Sequence, residues 1–207
     1  MDVFKELLLL VALVNPLGAI PFFIGMTQHQ SLAERRRIAS TVALTVGLVI
    51  AISTLVGGQV IHAFNISIAS LQVGGGIVVL LMAISMVNAQ PGGTRNTPEE
   101  TVEAGTRSVV AVVPLAIPIL TGPATISTVI VYAEQADSWL QRFNLIGCGV
   151  LIGLIVWAAL RLAEPVSYWL GRTGINIATR IFGLLLTAMS VEFIVAGLLA
   201  LLPGLRT

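Results

Sequence analysis

Charge is what this chain has least of. Only 10% of its 207 residues are Asp, Glu, Lys or Arg, against roughly 25% in an ordinary soluble domain. So few charges cannot cover a water-facing surface. With 56% hydrophobic residues and a mean hydropathy of +0.96, the chain reads as a membrane protein. The formal net charge is +1, carried in short stretches between apolar runs, so no basic surface for nucleic acid is expected. The single cysteine, Cys148, permits no intrachain disulfide. The histidines number two, neither deep in an apolar run, and no Asp lies inside one. A serine–histidine pair, a His-Glu-x-x-His helix and an aspartyl dyad are therefore missing, and an enzyme is not expected. Aromatics make up 6% of the chain, too few for the large aromatic cavity that drug efflux would favour. No cofactor or metal is implied, and no cleavable signal peptide is read at the start.

What the chain has is long apolar runs. Charge-free stretches extend over 7–33, 38–94, 108–133 and 143–160, and another from 181 is interrupted only by Glu192. A helix crossing needs about 20 apolar residues. Six spans are predicted, at roughly 4–26, 39–61, 67–88, 109–133, 144–163 and 179–202. Long uninterrupted runs are not the alternating segments of an outer-membrane barrel. Arg35, Arg36, Arg37, Arg95, Arg107, Arg161, Arg172 and Arg180 fall at one face, and Lys5, Arg142 and Arg206 at the other. This asymmetry predicts a multi-pass protein with both termini on the non-cytoplasmic side.

Two spans carry breaks. The first reads Asn15-Pro16-Leu17-Gly18-Ala19-Ile20-Pro21. The second reads Pro114-Leu115-Ala116-Ile117-Pro118, then Thr121-Gly122-Pro123-Ala124-Thr125. Pro16 and Pro123 are 107 positions apart, and the same offset carries Gly76 onto Gly183. The fold expected is all-α, six transmembrane helices in a 3+3 inverted repeat, with helices 1 and 4 broken by Pro and Gly. Residues 1–88 form the first repeat, 89–108 a cytoplasmic linker, and 109–207 the second repeat of one membrane domain. An odd number of crossings per half forces the second half to enter from the opposite face. Gly74-Gly75-Gly76 and Gly149-x-x-x-Gly153 supply small faces for close helix packing.

A break at membrane depth frees backbone groups that lipid cannot satisfy, so it must line a protein-enclosed cavity. Proline lacks an N–H and clashes with the carbonyl four residues back. The half-helix after each break presents N–H groups and a positive dipole end, suited to a carboxylate. Freed carbonyls suit an ammonium or a metal cation, so one small zwitterion would satisfy both. Asn15, Pro16, Gly18, Thr121, Gly122, Pro123, Ala124 and Thr125 are the candidate substrate-binding residues. Glu192, a carboxylate deep in the sixth span, is the candidate coupling site for a proton or sodium ion. Gln72, Ser85 and Thr187 are candidates to line the cavity. A passive channel, or an efflux protein for drugs or metabolites, is the alternative reading.

Asn15-Pro16-Leu17-Gly18 with Pro21 resembles the opening signature of the MarC family of integral membrane proteins. Pro114 to Pro118, followed by Thr121-Gly122-Pro123-Ala124-Thr125-Ile126-Ser127, is similar to that family's second signature, and Gly74-Gly75-Gly76 also fits. The resemblance covers nearly the whole chain. It implies a six-span inner-membrane protein of the small neutral amino acid transporter (SnatA-like) group. Such proteins are associated with cation-driven transport of glycine, alanine and serine. The paired breaks themselves point to a secondary carrier that rocks one half against the other around a midplane site.

Overall fold

The computed structural model describes residues 3–27, 30–88, 120–202 and 204. Among these residues the fold is all-α. The first predicted span is two helices, α1 (Val3–Val14) and α2 (Pro16–Thr27), parted at Asn15. Pro21, read in sequence as part of the break, instead lies inside the continuous α2. Next come α3 (Leu32–Ala63) and α4 (Ile68–Val87). The second half of the fourth predicted span is α5 (Pro123–Glu134). The start of that span, with Pro114 and Pro118, lies outside the described residues, as does the linker at 89–108. The chain closes with α6 (Trp139–Arg161) and α7 (Ala163–Leu201). Counting α1 and α2 together, five stretches are long and apolar enough to cross a membrane.

Local chemistry fixes the ends of these helices. Ser31 and Glu34 form a reciprocal capping box at the start of α3. The end of α3 is a Schellman turn. Ile66 N–H donates to Ile61 O and Asn65 N–H to His62 O, with Asn65 at φ 52°. Ser67 and Ser138 cap α4 and α6. Helix α7 kinks at Gly171, whose φ of 60° and ψ of −179° suit glycine alone. The segment before the kink exposes Tyr168 and Trp169, amphipathic rings of the kind that settle at a membrane interface.

Two helix pairs dominate the packing, α4 against α7 and α3 against α6. Around them α5 packs on α3 and α4, while α2 packs on α6 and α7. Glycines let the dominant pairs approach. A Cβ on Gly76 would lie 3.1 Å from Ser190 O, and one on Gly183 would lie 3.0 Å from Ala83 O. The two contacts are related by one offset: Gly183 stands 107 positions from Gly76, and Ser190 stands 107 positions from Ala83. Between α3 and α6, a Cβ on Gly153 would lie 3.0 Å from Ala43 O and one on Gly47 would lie 3.5 Å from Gly149 O. The same relation holds there at an offset of 106. Helices α2 and α5 match too: each starts on its proline and runs 12 residues.

These contacts rank the glycines of the Gly74-Gly75-Gly76 run. Position 76 is closed by backbone of α7, whereas a Cβ on Gly74 meets nothing within 4 Å. Gly76→Ala should therefore cost about 1–3 kcal/mol of stability through overpacking. Gly74→Ala should stay within about 0.5 kcal/mol of the parent. Thermal unfolding of purified protein in one detergent compares the two. Equal effects would contradict the packing described.

Candidate functional site

The first break is built around one side chain. Asn15 is buried, 2% exposed, and holds a left-handed φ of 45°. Asparagine tolerates that region better than most residues because its short side chain bonds locally. Its N–H donates to Val11 O at 2.9 Å, completing the last turn of α1. Its carbonyl accepts from Ala19 N–H at 3.2 Å, opening the first turn of α2. Its side-chain Oδ1 accepts from Gly18 N–H at 3.1 Å, the bond of an N-cap. One residue thus ends one helix, starts the next and satisfies a donor that hydrocarbon could not.

This geometry refines the expected role of Gly18. The space beside Gly18 is filled by the Asn15 side chain, with Cγ 2.8 Å from where a Cβ would stand. Its missing side chain serves the cap, and its N–H is already engaged. What the break leaves over is a carbonyl. Pro16 has no N–H, so the carbonyl of Ala12, four residues back, has no helical donor there. Ala12 is buried.

The second break enters α5 through Gly122, whose φ of −69° and ψ of 179° are extended backbone. Pro123 occupies the first helical turn, and Gly122 caps the helix without a side-chain bond. Thr121, Ala124, Thr125 and Thr128 are all buried. The two breaks share an interior. Ala12 and Leu13 belong to the same hydrophobic cluster as Ala124, and Val14 and Ala19 to the same cluster as Leu120. Asn15, Thr121 and Thr125 are therefore polar groups set in an apolar centre.

The remaining candidates fall at different places. Gln72 is buried on α4. Ser85 and Thr187 are partly buried, and each hydroxyl donates to its own helix, at Leu81 O and Gly183 O. Ser190, fully buried, donates to Thr187 O. Glu192 lies on the exposed side of α7. Among the described residues the buried carboxylate is Glu6 in α1, 5% exposed, a position that its neighbour Lys5 makes look ordinary in the sequence. Its signal is present: Glu6, Leu9, Leu10 and Leu13 recur at three- and four-residue spacing on one buried face. The ring of Phe193, next to Glu192 in the chain, meets the Tyr132 ring edge-on at 5.8 Å.

The far end of each half-helix is tied by an arginine from the span that follows. Arg35 Nε donates to Thr27 O at 2.9 Å, and Arg35 also pairs with Glu164. At the opposite face Arg142 lies 3.6 Å from Glu134, which also faces His62 at 3.4 Å. Glu134 packs flat over Gly58. Arg35 and Arg142 are again 107 positions apart.

Geometry and composition define a multi-pass α-helical membrane protein with helices interrupted at its interior. The family model described as MarC family integral membrane protein matches residues 1–202. Sequence comparison with curated proteins agrees. The chain is 40% identical over 202 residues to the UPF0056 membrane protein YhcE of Escherichia coli K12, covering 98% of this chain and 94% of that one. It is 41% identical over 199 residues to the UPF0056 membrane protein BU267 of Buchnera aphidicola from Acyrthosiphon pisum, covering 95% and 91%. An archaeal relative, the UPF0056 membrane protein PYRAB13050 of Pyrococcus abyssi, is 31% identical over 189 residues, covering 91% and 90%. The chain belongs to the MarC family. No solved structure matches it.

The cap makes a graded expectation. Asn15→Ala loses the cap bond and forces alanine into a left-handed conformation, together about 2 kcal/mol. Asn15→Gly relieves the conformation and should recover about half of that loss. Denaturant melts in detergent micelles read the order parent, Gly, Ala. An alanine variant as stable as the glycine variant would show that Asn15 is not held as described.

Proposed function

We propose that the protein is a secondary carrier for small neutral amino acids of the glycine, alanine and serine type. The observation that carries this reading is that two half-helices each start on a proline, with Asn15 and Pro16 buried at one, Thr121 and Thr125 buried at the other, and Ala12 and Ala124 in one hydrophobic cluster. The substrate carboxylate would sit at the start of α5, among Thr121, Gly122, Pro123, Ala124 and Thr125. The substrate ammonium would take the Ala12 carbonyl beside Asn15 and Pro16, with Gly18 holding the cap. Gln72, Ser85 and Thr187 would line the path. No Arg or Lys lies at these positions to hold a second anionic group, which favours a neutral substrate over an acidic one.

The reading extends to architecture. We take residues 1–88 and 109–207 as inverted repeats, because the Gly76–Ser190 and Gly183–Ala83 contacts are related by one offset of 107. Alternating access would rock one half against the other about that glycine-lined seam. The protein would lie in the inner membrane with both termini on the non-cytoplasmic side, as its arginines predict. The coupling ion, a proton or sodium, would be taken by Glu192, with the buried Glu6 as a second candidate carboxylate. Glu6 lies inside the bundle and Glu192 at its surface.

Reconstitution into liposomes with labelled glycine, alanine and serine, under separate proton and sodium gradients, tests the whole reading. Saturable uptake with counterflow is expected, and flux that never saturates would make the protein a channel instead. Gly122→Leu should abolish uptake while leaving insertion intact. Glu6→Gln and Glu192→Gln should each weaken gradient-driven accumulation at least tenfold while sparing counterflow. Full accumulation in both variants would remove the carboxylates from coupling.

A further inference from the structure

We propose that the cavity at the Arg35 end of the bundle binds the phosphate of an anionic phospholipid. The cavity measures about 190 Å³ and lies where α2, α3, α6 and α7 meet. Its lining includes three arginines, Arg35, Arg36 and Arg161, and one acidic residue, Glu164. Phe23 and Leu160 close its apolar side. Arg35 is committed to Glu164 and to Thr27 O. Arg36 and Arg161 make no ion pair among the described residues, and both are exposed. The cavity thus holds two cationic groups beyond the one its carboxylate balances. A guanidinium offers planar paired donors that match phosphate oxygens.

A lipid, rather than a soluble anion, follows from what surrounds these charges. The Arg161 guanidinium stacks on Trp157 at 4.9 Å, and Trp157 Nε1 donates to Ser40 Oγ on α3 at 3.2 Å. Ser40 and Trp157 each stand one turn deeper in the membrane than Arg36 and Arg161. Below them Leu44 and Leu154 are exposed, an apolar surface on which acyl chains can lie. Tyr168 and Trp169, 88% and 85% exposed, mark the same end as the level of the headgroups. The arginine count places this end in the cytoplasmic leaflet, where anionic lipids are concentrated.

Purified full-length protein in neutral detergent tests it, with phosphatidylglycerol, phosphatidylcholine or inorganic phosphate added. Native mass spectrometry counts lipid retained, and thermal melts report stabilisation. Phosphatidylglycerol should be retained and should raise the melting temperature, whereas phosphatidylcholine and millimolar phosphate should not. The pair Arg36→Gln and Arg161→Gln should weaken phosphatidylglycerol retention about thirtyfold. Arg37→Gln, exposed and outside the cavity, should leave it unchanged. If the double glutamine variant does not fold, the double lysine variant takes its place with a smaller expected loss. Stabilisation by phosphate alone would make this a soluble-anion site. Equal losses in the Arg37 variant, or none in the double variant, would overturn the proposal.

Discussion

A single demand shapes this molecule: no backbone N–H or C=O may face hydrocarbon without a partner. At Asn15 the chain leaves helical geometry inside a bundle, where an unpaired group costs several kcal/mol. The amide, the carbonyl and the side-chain oxygen of Asn15 are all used to meet that demand, on Val11, Ala19 and Gly18. The break is therefore a rigid joint, and its direction is set by one left-handed residue. Gly18 follows as a necessity, since any larger side chain would strike the cap. The carbonyl of Ala12 is the one group for which Pro16 supplies no helical donor, and it is buried inside the protein rather than turned to lipid.

The rest of the bundle holds that joint in place with two kinds of force of unequal weight. Close glycine contacts, Gly76 on Ser190, Gly183 on Ala83 and Gly153 on Ala43, bring backbones together over the length of two helix pairs. With no hydrophobic drive between helices in lipid, such van der Waals packing is the main adhesion. The arginine ties at the two faces contribute less. Glu164 is well exposed, and pairs of that kind are worth about 0–1 kcal/mol. Their value is positional: Arg35 and Arg142 pin the outer ends of α2 and α5, so that the inner ends keep their register.

Much of this was legible in the residues. Length and hydropathy marked the spans α3, α4 and α6 to within a few positions of their ends, apart from the polar first turns of α3. The proline at the head of α5 and the glycine offset were visible as pattern. The unread parts depended on three-dimensional facing. Pro21 was expected to extend the first break, yet it sits in an unbroken helix because Asn15 already absorbs the turn. Glu192 drew attention as a lone charge in an apolar run, although its side of α7 is exposed. Glu6 escaped notice because it stands near a helix start beside Lys5, where charge is ordinary. Only the buried face shared with Leu9, Leu10 and Leu13 distinguishes it. Gly171 gave no sequence hint of a kink, since nothing in composition specifies which glycine takes a positive φ.

Joint and packing lead to one proposal for this MarC family protein: two short helices start at Pro16, which is buried, and at Pro123, which is exposed, and a small zwitterion would be held among the buried residues beside them, Asn15, Thr121 and Thr125. Electron cryo-microscopy of the full chain in lipid nanodiscs, with and without saturating alanine, tests that account most directly. The account requires a helix interrupted at Asn15 and added density between that joint and the start of α5. An uninterrupted first helix, or alanine density elsewhere with that region unchanged, would contradict it.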